Sequence, residues 1–369
     1  MSVPATERAA PEPAGGARAP RPGARQLMVR FLTLREGSIV VVTILAILYF
    51  GIKVDRFASH ANFITLLPYF APFAILAAGE VLVMVNAEID LSIGSVYLFA
   101  PFMFYEFNGA GFGLVLCLIC SLLVCSVVGI INGVITEVFG VSSFITTLGM
   151  LLGLGGLTLI ISHAAPVQMP GAEVTSTVEK VTHVINGQKV TLEEHVNHTG
   201  TFANIFGHGT YSEFIWALLA VALVQIVLVA TRWGMYSVAV GGNKLGAAEA
   251  GVRVRAIVIR NFVLCSVFAG FVGILEAVRS SSVTPDTAGA SETMFRAVSA
   301  AVIGGTLLTG GEGTAIGALV GAIFLGVLRD GLVLQGVNAD YLDFILGIAI
   351  LVAMMINIYI GRVRRRSGV

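Results

Sequence analysis

Long apolar stretches, separated by short polar or glycine-rich breaks, fill the chain from residue 33 onward. A helix that crosses the roughly 30 Å hydrocarbon core of a bilayer needs about 20 mostly apolar residues. Ten stretches meet or approach that length: 33–52, 63–86, 92–107, 112–137, 141–162, 212–231, 256–278, 294–309, 313–335 and 340–361. The third and eighth are short, and Gly-rich or polar at one end, so they read as broken or tilted helices. The pattern predicts an all-α polytopic membrane protein of about ten transmembrane helices over residues 31–361. Residues 1–30 are rich in Pro, Ala, Gly and Arg and read as a disordered tail. They do not form a signal peptide, because the charged region is too long and no small-residue cleavage pattern follows the apolar run at 38–52. Residues 362–369 form a basic tail.

Two loops exceed the length of a connector. In the first, 163–211, Asn186-Gly187 lies between the β-branched runs of 181–192, which predicts a hairpin. The Asn197-His198-Thr199 sequon in the same loop carries little weight, because three-residue matches are common. In the second, 232–255, Asn243 is placed to cap a short helix and Gly251 to end it in the left-handed conformation. Two turns of helix are too short to stand alone in water, so this piece needs a partner surface or lies along the membrane interface. With the N-terminus placed inside, the inner segments hold 15 of the 22 basic residues, which predicts cytoplasmic N- and C-termini.

Composition sharpens the class. Hydrophobic residues make up 56% of the chain and charged residues 12%, and the 22 basic and 22 acidic side chains cancel. This excludes a soluble enzyme, a disordered protein and a nucleic-acid binder. Cys117, Cys120, Cys125 and Cys265 all lie inside apolar runs with no His at ligand spacing, so they read as packing residues and no metal site is expected. The glycine-rich run Gly304–Thr314 has no phosphate-binding Lys, so the chain powers nothing with ATP alone. Gly313, Gly317 and Gly321 open one face of the ninth helix to close packing, as do Gly149 and Gly153 on the fifth. Acids inside lipid are costly, which singles out Glu80, Glu88, Asp90 and Glu137. Asp90 stands where the second span gives way to the third, either as a cap for freed N–H groups or as a cation or proton site.

Three stretches together resemble the permease subunits of bacterial ABC sugar importers of the ribose type. Ala87-Glu88-Ile89-Asp90-Leu91-Ser92-Ile93-Gly94-Ser95 stands for that family's Gly-Gly-Ile-Asp-Leu-Ser-Val-Gly-Ser, with Glu88 in place of a usual glycine. Gly241, Gly242, Asn243, Ala247, Gly251 and Val252 fill places of its cytoplasmic motif, although Gly246-Ala247-Ala248 departs from the usual Ala-Ala-Arg. Ile303–Thr306, Leu308, Gly310, Gly311 and Gly313 match its glycine-rich third motif. Arg329-Asp330 replaces a usual polar pair.

The resemblance implies the ABC importer permease fold in a bacterial inner membrane. It also implies a second permease, cytoplasmic ATPase subunits that carry ATP and Mg, and a periplasmic substrate-binding protein. No cofactor is expected on this chain. The short helix at 243–251 is then the lever to the ATPase, with Gly242 and Gly251 as bends, Asn243 as cap, Ala247 and Ala248 as flat contacts, and Gly241, Glu249 and Val252 beside them. Asp90, Leu91, Ser92, Gly94 and Ser95 form the helix break, and Ser142, Ser143, Thr146 and Thr147 are expected along a weakly polar path, or bonded back to their own helix. The substrate expected is a monosaccharide or polyol. The rivals are a branched-chain amino acid ABC permease, an ion-coupled secondary transporter using Asp90 or Glu137, and an intramembrane enzyme, for which paired catalytic groups are missing.

Overall fold

The computed structural model describes residues 36–185 and 188–366. The 1–30 tail, the Asn186-Gly187 turn and the last residues of the basic tail lie outside them. Apart from short helical turns at Thr201–Ala203 and Asn204–His208, the helices of the described residues are α1 (Gly37–Lys53), α2 (His60–Met84), α3 (Ile93–Gly109), α4 (Leu114–Glu137), α5 (Ser143–Ile161), α6 (Ser212–Ala230), α7 (Arg232–Gly242), α8 (Lys244–Glu249), α9 (Val254–Arg279), α10 (Thr287–Ile303), α11 (Ala315–Leu334) and α12 (Ala339–Arg366). Ten of them fall on the ten expected stretches, while α7 and α8 occupy the second long loop. Among the described residues α2, α4, α5, α6, α9 and α11 are long and apolar enough to cross a membrane, and α1 is a shorter apolar helix.

Side chains that accept from freed N–H groups set several starts. Ser59 Oγ accepts from Asn62 N at 3.2 Å at the head of α2. Asp286 Oδ1 accepts from Ala288 N and Gly289 N, so α10 begins at Thr287 and ends at Ile303. The apolar run alone places this helix at 294–309, because the first two turns are polar and carry no hydropathy signal. Thr314 Oγ1 accepts from Gly317 N at 3.1 Å and starts α11 at Ala315. Gly313 therefore precedes the helix, contrary to expectation, and a Cβ on it would crowd the side chains of Val85, Thr306 and, on α2, Val81. Gly317 and Gly321 do pack as expected: a Cβ on either would strike the carbonyl oxygens of Gly304 and Ala300 on the α10 side. Gly149 and Gly153 meet nothing within 4 Å in this chain, so that face of α5 is open. Gly129 and Gly133 on α4 were not singled out, yet they let α4 approach the α9 backbone at Val263 and Ile259.

In the first long loop, β2 (Val174–Ile185) pairs antiparallel with β3 (Gln188–Thr199), with Ile185 opposite Gln188. The hairpin is longer than the 181–192 segment that predicted it. A short strand β1 (Val167–Gln168) precedes it and pairs with β4 (Ser282–Val283).

Contacts sort the connections into two ends. Thr314 Oγ1 donates to Glu36 Oε1, Gly311 N to Val85 O, and Ile89 N to Ser143 Oγ, which gathers these loops with α7 and α8 at one end. Asn62 Nδ2 donates to Asp330 Oδ2, and β1 meets β4, at the other. Between the ends α2 and α9 each contribute more buried apolar side chains than any other helix, among them Leu76, Leu82, Phe262 and Leu275.

Candidate functional site

The three separate motifs meet at one point. Val85 O, just past α2, accepts from Gly311 N at 2.8 Å. A Cβ on Gly241 would collide with that same Val85 oxygen and lie 2.6 Å from Gly311 N. Only glycine lets the end of α7 touch two backbones at once. Ala87 has φ 65°, a left-handed conformation that suits glycine, and packs against Gly310, whose φ is 77°. The first, second and third motifs thus form one knot of backbone at the α7–α8 end.

Above the knot the α2–α3 break is held by buried polar groups. Asp90 and Glu80 are both fully buried. Ser92 N and Ser92 Oγ donate to Asp90 Oδ1 at 2.9 and 2.6 Å, and Asn132 Nδ2 donates to Ser92 Oγ at 2.8 Å. Asp90 N donates to Glu80 Oε1 at 3.0 Å. Asp90 thus fastens the turn that leads into α3, while the first N–H groups of α3 itself receive no side-chain cap. Leu91 is buried, Ser95 Oγ donates to Ser92 O, and a Cβ on Gly94 would strike Ala290 O of α10. Ser143 Oγ accepts from Ile89 N at 3.2 Å, and Thr147 Oγ1 donates to Ile89 O at 3.4 Å and back to Ser143 O at 2.7 Å. These two hydroxyls therefore clasp the break. Ser142 is exposed at the head of α5, and Thr146 is buried. A cavity of about 400 Å³ runs beside α5, between Ser95, Leu151, Gly155, Thr287 and Ser291.

The lever region has a fixed root and a free tip. Trp233 Nε1 of α7 donates to Asn261 Oδ1 at 2.7 Å, and buried Asn261 donates to Leu82 O and Ser237 Oγ at 2.8 and 3.0 Å. This ties α7 to α9 and α2. Asn243, with φ −158° and ψ 96°, breaks the chain between α7 and α8, and its Oδ1 accepts from Gly246 N at 2.9 Å. The bend is therefore at Asn243 itself, and Gly242 completes α7 as an ordinary helical residue with open space around it. Gly251 has φ 85° and ends the piece as expected; Val252 N donates to Ala247 O at 3.0 Å. Ala247 is 6% exposed and turns into this chain, so it offers no contact to a partner. Ala248 and Glu249 are exposed, and so is Leu245 at 71%. Lys244 was also missed. Its Nζ lies 3.1 Å from Glu88 Oε1 and 2.5 Å from Glu137 Oε1. No local sequence pattern marks Lys244 or Leu245; the only hint was that Glu88 stands where a glycine is usual.

Residues 62–354 match the family described as "branched-chain amino acid transport system / permease component". The chain is 30% identical to the xylose/arabinose import permease protein XylH of Sulfolobus acidocaldarius, over 89% of this chain and 86% of the relative. It is 28% identical to the ribose import permease protein RbsC of Escherichia coli over 90% and 96%, and 29% identical to the fructose import permease protein FrcC of Rhizobium meliloti over 88% and 85%. No solved structure matches.

Proposed function

We propose, from the premise that this chain belongs to the permease-component family and is a non-catalytic, multi-pass membrane subunit of an ABC importer, that it carries a monosaccharide or related polar solute across an inner membrane. The relatives named for xylose/arabinose, ribose and fructose support a pentose, hexose or polyol. A branched-chain amino acid is the second reading, supported by the description of the family.

The α7–α8 end faces the cytoplasm in this account, with both chain termini, as the excess of Lys and Arg there indicates. A separate ATPase binds ATP and Mg and presses on α8. Ala248, Glu249 and Leu245 form the contact, with Leu245 as an apolar knob for a groove. Gly241, Gly242, Asn243, Gly251 and Val252 shape the lever that carries it. The observation that carries this reading is the knot at Gly241, where the lever touches the α2–α3 break and the glycine-rich loop at once. Movement of α8 reaches Asp90–Ser95 and α5 through it. The open face of α5, with Gly149, Gly153 and the adjoining cavity, receives the second permease, and solute passes there, near Ser142 and Thr146. A periplasmic binding protein delivers the solute at the opposite end.

The test is uptake of labelled ribose, xylose or fructose into proteoliposomes holding the chain with its ATPase and binding protein. Uptake that requires ATP supports the importer. Uptake by this chain alone, without ATP, that stops when an ion gradient is collapsed would establish the secondary transporter in its place.

A further inference from the structure

We propose that Lys244 is a positioning residue that fastens α8 to the membrane body through two acids, Glu88 in the α2–α3 break and Glu137 at the end of α4. The proposal deepens the importer reading and rests on it. One ammonium serves two carboxylates from different elements, at 3.1 and 2.5 Å. The Glu88 and Glu137 side chains are 14% and 5% exposed, against 48% for Lys244. Exposed ion pairs contribute little, but here both acids have given up most of their water. Burial opposes the charge on Lys244, yet the Glu137 and Glu88 carboxylates outweigh it and raise its pKa. Without the ammonium, two carboxylates that touch the same nitrogen would face each other within about 6 Å and repel.

The attachments of α8 explain why this matters. Within the six residues of α8, only Ala247 is buried. The root is an extended residue, Asn243, which leaves a hinge. Lys244 closes that hinge from the side. Its pull on Glu88 is delivered one peptide away from Ile89, which Ser143 and Thr147 of α5 hold, and two from Asp90, which is bonded to Glu80 of α2. Its pull on Glu137 reaches α4 directly. A push on α8 at Leu245 is thus shared among α2, α3, α4 and α5 instead of being lost in rotation at Asn243. Because Glu88 occupies a position that is glycine in the motif the chain resembles, the linkage is a property of this chain.

The experiment measures solute taken up per ATP hydrolysed in the complete transporter, with labelled ribose, xylose and fructose as probes. Lys244→Glu should lower the ratio about tenfold while ATPase subunits remain bound, and Lys244→Arg should retain it. The exchange Lys244→Glu with Glu88→Lys should restore most of the loss. A ratio unchanged in Lys244→Glu, or an exchange no better than the single variant, would overturn the linkage. If Lys244→Glu does not fold, Lys244→Met and Glu88→Gln are compared singly and together. A double variant no worse than the poorer single supports the linkage, and additive losses overturn it. Wild-type uptake without ATP would sink the importer reading itself, which separates the two failures.

Discussion

Gly241 and Gly242 are neighbours on one helix, and replacing each by alanine should have opposite effects. A Cβ at position 241 would overlap the Val85 carbonyl oxygen and press on Gly311 N. Both obstacles are backbone, so neither swings aside as a side chain would. Relief requires α7 to move away from the α2–α3 break, which stretches the 2.8 Å bond from Gly311 N to Val85 O. Overpacking of this kind costs about 1–3 kcal/mol, and losing the hydrogen bond adds about 1 kcal/mol. Gly241→Ala should therefore lose about 2–4 kcal/mol, less the fraction of a kcal/mol that alanine returns in a helix. At position 242 a Cβ meets nothing within 4 Å and the backbone is helical. Gly242→Ala should be neutral or stabilise by about 0.5–1 kcal/mol, because it removes freedom from the unfolded chain. The assay is the apparent thermal midpoint of each variant in detergent, followed by size-exclusion chromatography of a fluorescent fusion. A clear drop for Gly241→Ala with no drop for Gly242→Ala is expected. Equal behaviour of the two variants would refute the knot.

Four further outcomes are expected. Ala87→Gly should raise the same thermal midpoint, since relief of the φ 65° conformation, about 1–2 kcal/mol, exceeds the entropy that glycine costs. Asp90→Asn keeps an oxygen for Ser92 N and should leave uptake largely intact, whereas loss of uptake would make Asp90 an ion carrier. Leu245→Asp should weaken binding of the ATPase subunit by about 1–3 kcal/mol in a pull-down titration, without changing the thermal midpoint of the permease. The raised pKa of Lys244 gives a sign for pH: its contribution is complete below the ordinary lysine value and is lost only as pH rises through the raised one. Coupling through Lys244, read as the ratio of uptake to ATP hydrolysed in wild type against Lys244→Met, should therefore be flat across neutral pH.

The helices were legible because lipid demands long apolar runs, and a run of that length survives in the sequence without neighbours. The exceptions were α7, whose residues read as part of a loop, and α10. The start of α10 is set by the Asp286 cap and by packing against Gly94 and α11, so the polar turns from Thr287 to Thr293 gave no apolar signal. The cap at Asn243 and the left-handed Gly251 could be anticipated from local chemistry. Convergence of the three motifs could not. The close approaches at Gly241, Gly310 and Gly311 join segments about 70 or more residues apart, and a glycine names no partner. The direction of Ala247 into the chain, and the pairing of Lys244 with Glu137, likewise depend on how α8 lies against α4, which no short spacing encodes.

The account stands on α8 being the surface on which a separate motor acts. A photo-crosslinking residue placed at position 245 in intact cells tests this directly, because that side chain is exposed on α8. The expected product is a covalent adduct with an ATPase subunit, identified by mass. Labelling of a cysteine at the same position by a membrane-impermeant reagent added outside the cells, with no such adduct, would contradict it.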